Sequence, residues 1–406
     1  MKGPGPLRAV LITLDGLGVG ALSDAAAYGD AGVDTLGHIK AACPELRLPQ
    51  MQEMGLGNLH PDSGIVASSR PQACFGRMAE RAAGKDSTVG HWELAGLIQH
   101  QPLATFPQGF PPDIIKAFQR ETGLEPLGNL AASGTEILTR LGEEHVRSGR
   151  PIVYTSVDSV FQIAAHEDVI PVERLYEICR IARRILDPYR VGRVIARPFV
   201  GEGAGDFRRT ARRHDFSLPP FAPTLLDHLQ ERGLSVVGVG KIGDIFAGQG
   251  LSKSLPSHNN RDGMEKILDA FRGMHKGLVF ANLVDFDMLY GHRRDAEGFA
   301  RALKDFDGWL PRMKEIMGER DLLLITADHG CDPTAAGTDH TREYVPLLVW
   351  SPGLETGCDL GRRESFADVA ATLADFFGCC PPQAGSSFLK LLPLKTRICA
   401  KAGEKT

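Results

Sequence analysis

Four apolar, β-branched runs stop abruptly on charged residues, and no other feature of the chain limits its fold as tightly. They are LRAVLITLD ending at Asp15, LSVVGVGK at Lys241, LVFANLVDFD at Asp287 and DLLLITADH at Asp328 and His329. Runs that are continuous rather than alternating predict strands buried on both faces, as in a parallel sheet. Helix-period segments at 223–232, 262–274 and 295–317 are interspersed with them. Strand and helix thus alternate, which predicts an α/β fold with a doubly wound, mostly parallel sheet. In such sheets ligands bind beyond the carboxyl ends of the strands, so the terminal Asp, His and Lys residues are expected along one edge.

The middle of the chain breaks this rhythm. Two proline-rich stretches, QPLATFPQGFPPD (101–113) and FSLPPFAPT (216–224), enclose the strand-like runs PIVYTSV and RVIARPFV and an amphipathic helix over 172–186. Proline stiffens linkers and stops helices. A smaller α/β cap domain at 101–219 is therefore expected inside a core made of 1–100 and 220–395, with 396–406 as a frayed basic tail. A length of 406 residues suits two domains.

With 43% hydrophobic and 24% charged residues the composition is that of a globular protein. A net charge of −4 gives no global field for nucleic acid or an anionic membrane, so neither is expected as a partner. The basic run RRTARRH (208–214) reads as a solvated loop, with anion binding as the lesser alternative. The apolar part of the N-terminal MKGPGPLRAVLITLDG is too short for a signal peptide or a membrane span, which points to the cytoplasm. Eight scattered cysteines without a C-x-x-C fit reduced thiols. Oligomeric state cannot be read from these patterns.

Six oxygen and nitrogen donors carry the chemistry: Asp15, Asp287, His292, Asp328, His329 and His340. Any one of them alone is more often a turn, cap or surface residue. Their shared placement at strand ends is what singles them out. Carboxylates with imidazoles suit manganese or zinc, and six donors are enough for two ions. Paired ions stabilise the entering and leaving oxygens of a displacement at phosphorus and ionise a bound hydroxyl. The stretch GKDSTVGHWELAG supplies such hydroxyls at Ser87 and Thr88. Either one reads as a helix cap or as a nucleophile, and a nucleophile carried on a helix cap satisfies both readings.

The motifs LDGLGVG, GKDSTVGHWE, YTSVDSVFQIAAHE, VGRVIARPF, VGKIGDIFAGQG, NLVDFDMLYGHRRD and ITADHGCDPTAAGTDHTREYVPLLVWSP closely resemble those of the phosphopentomutases of the alkaline phosphatase superfamily. The likeness runs from about residue 9 to residue 390. It implies an alkaline phosphatase-like core and the interconversion of (deoxy)ribose 1-phosphate and 5-phosphate through a phosphorylated enzyme. Two Mn2+ ions and a priming glucose 1,6-bisphosphate or pentose bisphosphate are implied with it. Asp287, His292 and His340 would hold one ion, and Asp15, Asp328 and His329 the other. The family's nucleophile is the threonine directly after Lys-Asp. Here that position is Ser87, with Thr88 as the fallback. The resemblance assigns Ser156, Asp158 and Val160 to the pentose pocket and Arg193 and Lys241 to the far phosphate, with His91, Trp92 and Glu93 as support.

Competing readings are a metal-dependent phosphatase or sulfatase, a phosphoglycerate mutase, and a catalytically silent sugar-phosphate sensor. More remote is a dinucleotide-binding oxidoreductase, since Gly16, Gly18 and Ala21 follow a strand and Asp34 lies near the expected ribose position.

Overall fold

The computed structural model describes residues 7–156 and 159–395. Residues up to Gln101 together with those from Pro220 form one compact unit, and Pro102–Pro219 form another.

Along the chain, the first unit begins with β1 (Arg8–Leu14) and β2 (Cys74–Met78). The second contains β3 (Leu127–Ala131), β4 (Ile152–Thr155), β5 (Val160–His166), β6 (Arg193–Val200), β7 (Arg208–Arg209) and β8 (His214–Ser217). The first unit resumes with β9 (Ser235–Val239), β10 (Lys253–Leu255), β11 (Gly277–Leu283), β12 (Leu322–Thr326), β13 (Val345–Trp350) and β14 (Asp359–Arg363).

Strands of the first unit make an eight-stranded sheet in the order β10-β9-β11-β1-β12-β13-β2-β14. Pairing is parallel from β10 through β12 and between β2 and β14, and β13 alone is antiparallel to its neighbours. The expected mostly parallel α/β core is borne out. β1 lies between β11 and β12 because its side chains are apolar on both faces: Ala9, Val10, Leu11, Ile12 and Leu14 are all buried. The strands that end at Asp15, Lys241, Asp287 and Asp328 are β1, β9, β11 and β12, four neighbours running the same way. Their carboxyl ends bring distant parts of the sequence to one edge.

In the second unit, alternate residues of one sheet feed two apolar layers. Phe161, Ile163, Ala165, Val194 and Ala196 pack with the helices Pro112–Thr122 and Val172–Leu186. Ile152, Tyr154, Ala164 and Phe199 pack with the helix Gly134–Ser148.

Three expectations need correction. The basic run 208–214 is not simply a loop, since β7 and β8 at its ends both pair with β6. Acidic partners absorb its charge: Arg208 pairs with Asp206, Arg212 with Glu167 and Arg213 with Asp215. The cysteines are not all reduced, because Cys74 and Cys358, 284 residues apart, form a disulfide. Sheet pairing brings them together, as Phe75 N–H donates to the Cys358 carbonyl, a proximity that local cysteine spacing could not reveal. The dinucleotide fingerprint lacks its helix. Among the described residues the first α-helix after β1 starts only at Thr35, and Asp34 is its N-cap and a partner of His60. Among these residues no helix is long and apolar enough to cross a membrane.

Candidate functional site

Each of the six donors is set by a strand end or by a turn that follows one. Asp15 comes directly after β1, where Gly16 takes φ +77°. A Cβ on Gly16 would lie 2.8 Å from that of Cys331, so glycine lets the chain turn there against the 328–331 segment. Gly16 N–H donates to Asp328 Oδ1 at 3.3 Å. Asp328 and His329 follow β12 and are fully buried.

Asp287 and His292 are five residues apart, a spacing that would put them about 140° apart around an α-helix. The segment Phe286–Gly291 is instead a π-helix, and His292 N–H donates to the Asp287 carbonyl. The wider turn brings the two side chains onto one side, with His292 Nε2 3.2 Å from Asp287 Oδ2. Short π-bulges of this kind tend to occur at functional sites.

The donors fall into two groups. One donor atom from each of Asp287, His292 and His340, and likewise from each of Asp15, Asp328 and His329, lies within 4.8 Å of the others in its set. The groups adjoin, for the rings of His329 and His340 are 3.9 Å apart. Each set could hold one metal ion. The hydrogen-bond inventory fits that reading, because Asp15 Oδ1, Asp287 Oδ1, Asp328 Oδ2 and His340 Nε2 are buried without a hydrogen-bond partner. Their nearest polar neighbours are one another and the site's imidazoles, at 3.1–3.4 Å, and buried polar atoms are normally satisfied, so a cation in each set would give them the partner they lack. Two histidines are oriented by backbone carbonyls: Nδ1 of His329 faces Gly330 O at 3.0 Å, and Nδ1 of His292 faces Thr338 O at 2.6 Å. In the tautomer that donates from Nδ1 to those carbonyls, Nε2 of each ring carries the lone pair that an ion would use.

The electrostatics point the same way. Burial, followed by the Asp328 charge, pushes the Asp15 carboxyl up. Burial acts likewise on Asp328 and Asp287, but their histidine neighbours more than offset it and hold both well below the usual carboxylate range. Burial disfavours a charged His329, yet Asp328 and Asp15 raise it well above the ordinary imidazole range. A buried group of carboxylates that draws positive charge onto an enclosed imidazole is one that would welcome a cation.

The helix Ser87–Leu94 presents the hydroxyls. Its cap is Asp86, whose carboxylate accepts from the N–H groups of Thr88 and Val89. The expected nucleophile on a helix cap is therefore displaced by one residue: the acid caps, and Ser87 is the first helical residue. Those two N–H groups are taken by Asp86 and are not free for a phosphate. Ser87 Oγ lies 3.1 Å from His329 Nε2, at the Asp15, Asp328 and His329 set.

The residues expected to bind sugar are divided between the two units. Lys241 follows β9 on the same sheet edge and is half-buried. Ser156, Val160 and Arg193 belong to the second unit, where Val160 pairs with Arg193 across β5 and β6 and Arg193 lies 3.5 Å from Asp215. Asp158 lies outside the described residues.

Asn282 is a supporting group that the motifs did not single out, whereas His91 and Glu93 were expected as support. Asn282 donates to Asp15 Oδ2 at 3.0 Å and sits 3.1 Å from His91 Nε2. His91 Nδ1 is 3.1 Å from Asp328 Oδ2. A lone asparagine inside the apolar run LVFANLVDFD was the available signal for the first. Glu93 accepts from Arg81 N–H, Ala82 N–H, Ser365 Oγ and Phe366 N–H, fixing the Ser87–Leu94 helix to its surroundings.

A family model for the metalloenzyme superfamily matches residues 7–381. The chain is 59% identical to the phosphopentomutase of Syntrophotalea carbinolica, over 95% of this chain and 98% of that one. It is 55% identical to that of Caldanaerobacter subterraneus subsp. tengcongensis, over 96% and 99%. To that of Acetivibrio thermocellus it is also 55% identical, over 94% and 98%.

Proposed function

The chain belongs to the phosphopentomutase family of the metalloenzyme superfamily, and from that premise we propose that Ser87 carries the phosphoryl group between the two ends of a pentose. A divalent-metal enzyme acting on sugar phosphates is what this membership establishes. In the proposed reaction two Mn2+ ions would be held, one by Asp287, His292 and His340 and the other by Asp15, Asp328 and His329. When bound, the ions supply charge that lowers the pKa of a neighbouring hydroxyl and stabilises a phosphoryl group in transfer.

The chain's own residues do the rest. Ser87 Oγ takes a phosphoryl group from glucose 1,6-bisphosphate or a pentose bisphosphate, which leaves as the monophosphate; it passes that group to the free hydroxyl oxygen of the pentose monophosphate and takes back the phosphoryl group that stood on the other oxygen, whose freed alkoxide is protonated. His91 and Asn282 hold Asp328 and Asp15 in place. Ser156, Asp158 and Val160 bind the pentose, and Arg193 and Lys241 the phosphate that is not reacting, through a planar fork and a point charge. The proposed setting is the cytoplasm.

The observation that carries the Ser87 assignment is its hydroxyl 3.1 Å from His329 Nε2, the same nitrogen that faces Asp15 at 3.3 Å and Asp328 at 3.2 Å. The test is to incubate the enzyme with glucose 1,6-bisphosphate and manganese and map the modified residue by mass spectrometry, beside Ser87→Ala and Thr88→Ala. Phosphate on Ser87, lost with activity only in Ser87→Ala, is the expected result. Phosphate on Thr88, or on neither residue, would overturn it.

A further inference from the structure

We propose that Arg342 is a positioning residue for the reaction: it holds the irregular segment 79–86 so that Ser87 faces the Asp15, Asp328 and His329 set. The inference rests on Ser87 as the phosphate carrier.

Between β2 and the Ser87 helix the chain has no regular secondary structure, yet parts of it are buried. Buried backbone groups need partners from elsewhere. Glu93 supplies them on the N–H side, through Arg81 and Ala82. Arg342 supplies them on the carbonyl side. Its Nη1 donates to Ala82 O at 2.8 Å, Gly84 O at 2.7 Å and Glu80 Oε2 at 2.8 Å. Its Nη2 donates to Glu80 O at 3.1 Å and Asp24 Oδ2 at 3.2 Å. One side chain thus holds three carbonyls on alternate residues of the strip that ends at Ser87. Only a guanidinium has enough donors in a fixed plane to do so.

Arg342 is itself anchored close to a metal-set residue. It follows His340 by two positions, its N–H donates to Asp30 Oδ2 at 2.9 Å, and its carbonyl accepts from Leu22 N–H. Asp30 also pairs with Lys85 at 3.0 Å, and Lys85 with Asp339 at 3.2 Å. The segment before the nucleophile is therefore clamped to the segment bearing His340 from both ends, by Arg342 at 80–84 and by Lys85 next to the cap. The spacing between hydroxyl and metal set is fixed before any substrate arrives.

The test compares Arg342→Lys with the parent enzyme in manganese affinity by calorimetry, thermal midpoint, kcat, KM and the rate of Ser87 phosphorylation by glucose 1,6-bisphosphate. Lysine keeps the charge but cannot hold all three carbonyls. A misplacement of about 1 Å costs roughly 10²-fold in rate. The expected result is therefore a loss of that order in kcat and in Ser87 phosphorylation, with KM and manganese affinity unchanged. A parental kcat overturns the inference, as does a parallel fall in manganese affinity and thermal midpoint, which would mark a merely structural role. Should Arg342→Lys fail to fold, Asp24→Asn carries the same test, because that carboxylate is 47% exposed at the outer side of the guanidinium. A smaller fall in kcat at unchanged manganese affinity supports the inference, and a parental kcat overturns it. Phosphate mapped to Thr88 in the parent enzyme would remove the Ser87 reading itself. Phosphate on Ser87 with an unaffected Arg342→Lys removes only the role of Arg342.

Discussion

Replacing Gly90 by alanine sets helix propensity against packing, and the structure says which wins. Gly90 lies inside the Ser87–Leu94 helix, where alanine would ordinarily be better by about 1 kcal/mol. A Cβ there, however, would stand 2.0 Å from the carbonyl oxygen of Asp328 and 2.8 Å from its carbonyl carbon. Ordinary contact begins at 3.4 Å, so helix and ligand-bearing segment must part by up to 1.4 Å. Both are backbone, and neither can swing away as a flexible side chain would. Overpacking of this kind costs about 1–3 kcal/mol, at least cancelling the propensity gain. The larger effect is on function, since the displacement separates Ser87 Oγ from the Asp15, Asp328 and His329 set. A shift of that size is expected to lower kcat by roughly 10²-fold, while KM for the pentose phosphate holds. The control is Gly308→Ala, in the helix Ala296–Glu315, where a Cβ meets nothing within 4 Å. That variant is expected to gain about 1 kcal/mol and keep full activity. Assays are the coupled conversion of ribose 1-phosphate to ribose 5-phosphate and urea unfolding of both variants. A Gly90→Ala enzyme with parental kcat would refute the idea that close helix-to-strand approach sets the nucleophile.

Glu343 is buried and accepts hydrogen bonds from Gly20 N–H, Thr35 N–H and the hydroxyls of Thr35 and Thr341. Burial outweighs those donors and pushes its carboxyl up to about 7 from an ordinary 4.5. Because the folded value is the higher, its contribution is fully present below pH 4.5 and is lost as pH rises through about 7, a change on the order of 3 kcal/mol. Glu343→Gln is expected to flatten that part of the pH–stability curve in urea titrations without added metal, and an unchanged slope would contradict the assignment. The Cys74–Cys358 disulfide closes a long loop between β2 and the segment entering β14, so Cys358→Ser or added reductant is expected to cost about 2–4 kcal/mol and lower the thermal midpoint. A non-reducing peptide map that finds both thiols free, or a midpoint indifferent to reductant, counts against it.

The parallel core was legible because burial on both faces leaves a plain mark: runs such as LLLIT at β12 carry no polar residue that needs water. The charged residues that end those runs were legible for the same reason, since a charge cannot continue a doubly buried strand and must sit at its rim. What stayed hidden depends on local geometry or on long-range register. Asp287 and His292 look mismatched at a spacing of five until the π-turn aligns them, and no propensity scale announces that turn. Asp86 sat in plain view as an acid before a helix, yet the hydroxyls beside it drew the cap assignment. β3, β7 and β8 were missed because short strands at or near a sheet edge bury too little to show a pattern, and the charges of 208–214 suggested solvent where ion pairs were waiting. Arg342, Glu80 and Asp24 had no local signature at all. Their partners come from segments up to 318 residues away, and only the finished sheet brings the ends of β2, β12 and β13 close enough to meet. The ligands of such a site are readable from the strand that ends at each of them. The accuracy with which a hydroxyl faces those ligands is a property of cross-chain hydrogen bonds, and it is those bonds that the Gly90 and Arg342 variants put under strain.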